Sequence, residues 1–243
     1  MKDFLLIFDK YNIRARISVG VIVVSPLLVQ VQLVIPNLNG LSTTAVLIFI
    51  AVCLCNLLVI IPRVSNDRIT KSCFGDELPT ERLLQPADCS IDDITKQRYY
   101  GFLRKSIRGI SFDTSDEEKL RNSIISSVAW LRSNTRDKTK FPLIYEENIN
   151  YGFARNLYGL KRYGVLISVV SMIVDMAILV IEKTAIYTNR FSLAGASISF
   201  VISVLFLLMW VIVVKEELVR FCGEKYAREL LSACDYLEQD SKQ

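Results

Sequence analysis

The chain has 243 residues, with 29 Lys and Arg against 25 Asp and Glu, a net charge of +4 and no histidine. Half of it is apolar (51%) while 22% is charged, so the apolar residues must be gathered in blocks rather than spread evenly. Without histidine, Ser-His and Cys-His catalysis and the commonest metal ligand are excluded, and we expect no enzyme and no cofactor.

The blocks lie at 17–35, 44–61, 164–181 and 194–214. Each approaches the roughly 20 residues a helix needs to cross a hydrocarbon core about 30 Å thick. Their Val and Ile content would suggest strands in water, but lipid requires every backbone polar group to be satisfied within the segment, which selects helix. The first block is long and interrupted by Gln30 and Gln32, unlike the core of a cleaved leader, and reads as a retained span. Lys2, Lys10, Arg14 and Arg16 precede it, and Arg63, Arg68 and Lys71 follow the second block. Arg155, Lys161 and Arg162 precede the third block, and Lys215 and Arg220 follow the fourth. Because Lys and Arg near span ends stay on the cytoplasmic side, both hairpin loops are predicted to face outward. Both termini and the charged middle then lie in the cytoplasm, on the inner side of four spans.

The predicted fold class is all-α: a cytoplasmic N-terminal segment (1–16), a transmembrane hairpin (17–61), a helical cytoplasmic domain (62–163), a second hairpin (164–214) and a cytoplasmic C-terminal helix (215–243). The six cysteines, Cys53, Cys55, Cys73, Cys89, Cys222 and Cys234, form no C-x-x-C pair, which argues against zinc and structural disulfides. Within the middle domain, Ser90 with Asp93 opens a helix through IDDITKQRYYGFLRKSI, and Ser115 with Glu118 is a capping box for the next. Leu120, Ile124, Ile125, Val128 and Leu131 give that second helix one apolar face, for which Ile94, Tyr99, Phe102 and Leu103 are the expected partners. After the fourth span the helix is expected to continue unbroken to about Leu237, with Leu218, Phe221, Cys222, Tyr226, Leu230, Ala233 and Leu237 as its apolar stripe. That stripe packs either on the middle domain or on another subunit.

Asp175 is the one ionisable residue well inside a span, where an isolated carboxylate costs about 2.5–3.5 kcal/mol on insertion scales. It must face protein or water. Ser168, Ser171 and Asp175 share a face of the third span, Ser18, Ser25 and Gln32 share one on the first, and the second adds Asn56. These seven are the candidate pore or gating residues. Ser192, Ser199 and Ser203, with Gly195 and Ala196, align on the fourth span. Small and hydroxylated residues also mark plain helix-to-helix contacts, and Asp175 is open to a pore-lining role, a buried structural hydrogen bond, or wetting near the outer interface. Four helices leave little room for a wide aqueous path, so a pore calls for a homo-oligomer such as a tetramer.

Two basic runs, Lys96, Arg98, Arg104, Lys105 and Arg108, then Arg132, Arg136, Lys138 and Lys140, stand out in the middle domain. The first is interleaved with Tyr99, Tyr100 and Phe102. Cations that neutralise phosphates beside rings that stack bases suit a single-stranded oligonucleotide, although basic residues near a membrane also serve topology and anionic lipid. Between middle domain and third span, NYGFARNLYGLKRYG joins aromatics to Arg155, Lys161 and Arg162, the composition of an interfacial elbow. Asn150, Tyr151, Gly152, Phe153, Arg155, Asn156, Gly159 and Lys161 are its candidate coupling residues, with Gly152, Gly159 and Gly164 permitting turns or close packing.

Separated motifs over 78–163 carry a resemblance: Pro79-Thr80 with Leu83-Leu84, Asp88 and Asp92 with TKQRY (95–99), Trp130-Leu131 with TRDK (135–138), and FPL (141–143) leading into ENINYGFARNLYGLK (147–161). The stretch, about a third of the chain, resembles a widespread family of bacterial four-span membrane proteins and looks like the Hailong-type membrane effector of anti-phage loci, which is paired with a nucleotidyltransferase. The resemblance implies an oligomeric channel that depolarises the infected cell, governed by a nucleotide or oligonucleotide from the partner enzyme. A non-conducting membrane-anchored scaffold or sensor that recruits a cytoplasmic partner is the competing expectation. A transporter would show more spans and broken helices at the midplane.

Overall fold

The computed structural model describes residues 9–35, 60–183 and 191–240. All regular structure among them is helical: α1 (Lys10–Val34), α2 (Ile60–Val64), α3 (Asn66–Phe74), α4 (Pro79–Leu83), α5 (Asp93–Ser106), α6 (Glu117–Asn134), α7 (Pro142–Gly159), α8 (Lys161–Lys183), α9 (Leu193–Val213) and α10 (Glu216–Asp240). Three of them, α1, α8 and α9, are long and apolar enough to cross a membrane. They coincide with the first, third and fourth predicted spans. The second, at 44–61, falls outside the described residues except for its last two, and with it Asn56, Cys53 and Cys55.

The chain divides into two compact units. One comprises residues 1–69 and 152–218, the other 70–151 and 219–243. The divisions fall inside α3, α7 and α10.

In the first unit the usual order of a water-soluble fold is inverted. Leu166, Ile173, Val180, Val201 and Leu205 point outward, Ile173 at 63% and Leu205 at 60% exposure, while Ser168, Ser171, Asp175, Ser199 and Ser203 are all fully buried. An apolar exterior around a small and polar interior is the arrangement that lipid as solvent favours, since apolar side chains gain nothing there by being buried. Packing is close where side chains are smallest. A Cβ on Gly164 of α8 would fall within the ring of Trp210, and one on Gly195 of α9 would meet the Leu33 carbonyl of α1. Beside Gly195, the Ser192 N–H donates to the Val34 carbonyl at 3.0 Å, and the Ser192 hydroxyl caps α9 by accepting from Gly195 N–H at 3.0 Å.

Two π-helical turns interrupt the long helices, at Ile13–Ile17 in α1 and Met209–Val213 in α9. The expected unbroken run from the fourth span into the C-terminal helix does not form. Val214 leaves the helical region (φ −82°, ψ 88°), and α10 starts afresh at Glu216. The break is stabilised from α8, where Lys161 Nζ donates to the freed Val214 carbonyl at 2.6 Å. The expected elbow is also different. Residues 150–157 lie within α7, Gly152 included, and Gly159 is its last residue, so only Leu160 separates α7 from α8. None of these glycines has positive φ; among the described residues only Gly75 and Gly109 do.

The second unit is a conventional core of α4, α5, α6 and α10, built on Leu83, Leu84, Tyr99, Tyr100, Leu103, Ile124, Leu131, Leu230 and Leu231. The cap of α5 is Asp92 rather than Ser90, accepting from Thr95 N–H at 2.8 Å. That of α6 is Asp116 rather than Ser115, accepting from Lys119 N–H at 2.9 Å. Ile94 (81% exposed) and Ile125 (43%) stand outside the core. On α10 Leu230 and Ala233 of the expected stripe are buried, together with Val219, Gly223, Ala227, Leu231 and Cys234, and Phe221 faces out. The small residues win because Phe74 and Pro79 approach Gly223 closely.

Candidate functional site

The site is a buried polar seam in the first unit, and its register follows from two contacts. Gly164 of α8 lies against Trp210 of α9, and Ile178 of α8 shares a small cluster with Ala196 of α9 and Val34 of α1. The two pairs are equally spaced along both helices, so α8 and α9 run antiparallel in constant register. Asp175 therefore stands level with Ser199, and Ser171 with Ser203. One turn below Val34, Gln30 of α1 enters the same level: its Nε2 donates to Asp175 Oδ1 at 2.9 Å and to the Ser171 carbonyl at 2.9 Å.

Gln30 is 5% exposed and Asp175, Ser171, Ser199 and Ser203 are at 0%. Despite that burial, Asp175 Oδ2 and the hydroxyls of Ser171, Ser199 and Ser203 have no hydrogen-bond partner, and neither has Trp210 Nε1 further along. An unpaired buried polar group costs about 1–3 kcal/mol, and more when charged. From Asp175 and Ser199 to Trp210 the seam covers about 16 Å at 1.5 Å per residue, roughly half a hydrocarbon core.

The other nominated span residues behave differently. Ser168 Oγ donates to the Gly164 carbonyl at 2.8 Å, Ser18 Oγ to Arg14 at 2.5 Å and Ser25 Oγ to Val21 at 2.6 Å, each within its own helix. Gln32 is half-buried and has a partner of its own. On α1 the inward face is Val19, Val23, Gln30 and Val34, so the heptad of Ser18, Ser25 and Gln32 lies beside it. Gln30 was missed because a uniformly apolar helix carries no direction in its sequence; an amide in a span was the available signal.

Around the expected elbow, several contacts hold the C-terminal part of α7, residues 152–159, within the first unit. Asn156 Nδ2 donates at 2.6 Å to the carbonyl of Ala15, in the π-helical turn of α1. Gly152 lies against Tyr11, Gly159 against Pro62 and Ile69, and Phe153 against the cluster of Val19, Val23 and Trp210. Arg155 is half-buried. Within the second unit, Tyr151 stacks on Tyr226 (6.2 Å, 7°) and Asn150 stands 3.4 Å from Glu147.

The basic runs of the second unit do not form one patch. Lys96 is 2% exposed, and its ammonium donates to the carbonyls of Asp88 and, at 2.9 Å, Gln85, so it is a structural cation closing the α4–α5 turn rather than a solvent-facing ligand. Arg98 makes a bidentate pair with Asp235 of α10 (2.6 and 2.9 Å), which holds its guanidinium above the usual range. Lys105 approaches Glu238 at 3.7 Å. The rings expected to stack bases are core residues: Tyr99, Tyr100 and Phe102 are at most 6% exposed, and burial pushes both tyrosines up to about 12. Arg104 lies over Phe112 (5.7 Å) and Lys138 over Tyr145 (4.7 Å). Arg108 lines an open 520 Å³ cleft with Asp116, Glu118 and Lys119, and Arg132 and Arg136 edge a 290 Å³ hollow with Ala129 and Ser133.

Compared with protein-family models, curated proteins and solved structures, the chain matches none.

Proposed function

We propose that this protein is a membrane channel or permeabilising effector in which the seam of Asp175 is part of the ion path. The supporting observation is the run of fully buried, unpartnered oxygens on α8 and α9 behind an apolar exterior. A purely structural polar contact satisfies its groups; this one leaves a carboxylate oxygen and three hydroxyls free to solvate something else. Within one chain the seam is enclosed, so the conducting form in this reading is a homo-oligomer, open when helices around the seam separate.

Control resides in the second unit, which α3, α7 and α10 join to the first without a helix break. The resemblance to the Hailong-type effector adds that the signal is a nucleotide or oligonucleotide and the setting bacterial anti-phage defence at the inner membrane. All the nominated cations but Lys96 and Lys140 are exposed, and Arg104, Arg108, Arg132 and Arg136 among them are the phosphate contacts this reading requires. The enclosed seam also fits a non-conducting scaffold or sensor that recruits a partner. Purified protein in planar bilayers separates the two: stepwise ionic current, reduced by Asp175→Asn, is expected of a channel, and silence with and without oligonucleotide rejects it.

A further inference from the structure

We propose that the Asp175 level of the seam is a binding site for a single monovalent metal cation. Asp175 is fully buried on α8, and no cationic side chain reaches it among the described residues; Oδ1 takes an amide donor from Gln30, while Oδ2 is left bare. A buried carboxylate in that state must be neutralised by a proton or by a cation. A proton would leave the hydroxyls of Ser171, Ser199 and Ser203 as unpartnered as before. A cation instead uses what the site supplies: a carboxylate, the Ser199 hydroxyl level with it, and the Ser171 and Ser203 hydroxyls one turn away, all hard oxygens without other partners.

Charge fixes the class of ion. One carboxylate balances a single positive charge, and a divalent ion would leave net charge buried among apolar helices. Among the described residues no group of three His, Cys, Asp or Glu could hold a metal, which points away from zinc and calcium. The amide of Gln30 holds the carboxylate in place, making it a positioning residue. This assignment concerns occupancy and stands whether or not the protein conducts.

The test uses the full chain in detergent micelles, titrated with NaCl or KCl against choline chloride at constant ionic strength. Binding of ²²Na⁺ and thermal unfolding are read in parallel. The expected result is one saturable Na⁺ or K⁺ per chain, stabilising relative to choline. Asp175→Asn should raise the half-saturating concentration at least tenfold and Ser199→Ala several-fold. Ser197→Ala, on the outward face of α9 with its hydroxyl bonded to Leu193, should leave it unchanged. Equal stability in Na⁺, K⁺ and choline, or unchanged affinity in Asp175→Asn, overturns the site. Stability that follows pH alone overturns it in favour of a protonated carboxyl. If Asp175→Asn fails to fold, stoichiometry in the parent chain and the Ser199→Ala shift still decide. Ion binding without bilayer current retains the site and removes the conduction reading; current without binding does the reverse.

Discussion

The two units treat buried polar groups in opposite ways. In the second, Lys96 donates to two carbonyls, Tyr100 Oη to the Leu84 carbonyl at 2.7 Å, and Ser127 Oγ to Ser123 at 2.7 Å; no buried side-chain atom described there lacks a partner. In the first, Asp175, Ser171, Ser199, Ser203 and Trp210 all leave an atom unpaired. A water-solvated core cannot carry such groups cheaply, because the unfolded chain hydrates them fully. Within helices surrounded by lipid that hydrated alternative is absent, and the groups left unpaired there are those from which the proposed cation site is built.

The largest effect should come from forcing the close packing of the first unit. Gly164→Leu drives a side chain into the Trp210 ring and should cost about 3 kcal/mol or more, read as thermal unfolding in detergent. Trp210→Ala in the same chain should recover part of the loss; no recovery would mean that this contact does not set the α8–α9 register. Next, Lys96→Met leaves the carbonyls of Gln85 and Asp88 without their donor. A loss of about 2–3 kcal/mol in denaturant titration is expected, and a neutral substitution would end the claim that the second unit is fully satisfied. Tyr100→Phe keeps the ring stacked on Phe112 and removes only the bond to Leu84, for about 1–2 kcal/mol.

A smaller effect separates the units by pH. Asp92, at the start of α5, is held below its ordinary value of 3.8 by the N–H of Thr95. A depressed carboxylate contributes stability above its unfolded pKa, and that stability is lost as pH falls through the folded value, here below 3.8. Acid unfolding followed through Trp130 in the second unit should therefore flatten in Asp92→Asn, and an unchanged acid limb would dismiss the cap. The smallest signal belongs to the Arg98–Asp235 pair, half-exposed on both sides, whose double-mutant coupling should sit near the detection limit and shrink in salt.

How far the sequence anticipates this molecule differs between its parts. Hydropathy locates α8 and α9 and the end of α1 within a few residues, because helix length in a bilayer is set by composition, whereas α1 starts at Lys10, seven residues before the apolar block at 17. The helices α5 and α6 were legible from periodicity, their caps shifted by two residues and one because aspartates next to the nominated serines compete for the same N–H groups. On α10, Leu230 and Ala233 of the expected stripe are buried and Tyr226 and Leu237 pack against the core, but Phe221 gives way to Gly223, since close approach to Phe74 depends on size and not on hydrophobicity.

What the sequence determined by itself is the all-helical class, the apolar lengths of α1, α8 and α9, and the presence of one carboxylate, Asp175, well inside them, Glu182 standing at the end of α8. Tertiary structure alone decided which amide meets that carboxylate, which serines stand level with it and which bond back to their own helices, and that the basic run of α5 is divided between core and ion pairs. Composition fixes how much of a helix prefers lipid or water. The rotation of each helix about its axis is fixed only by its neighbours, and the seam exists in that rotation.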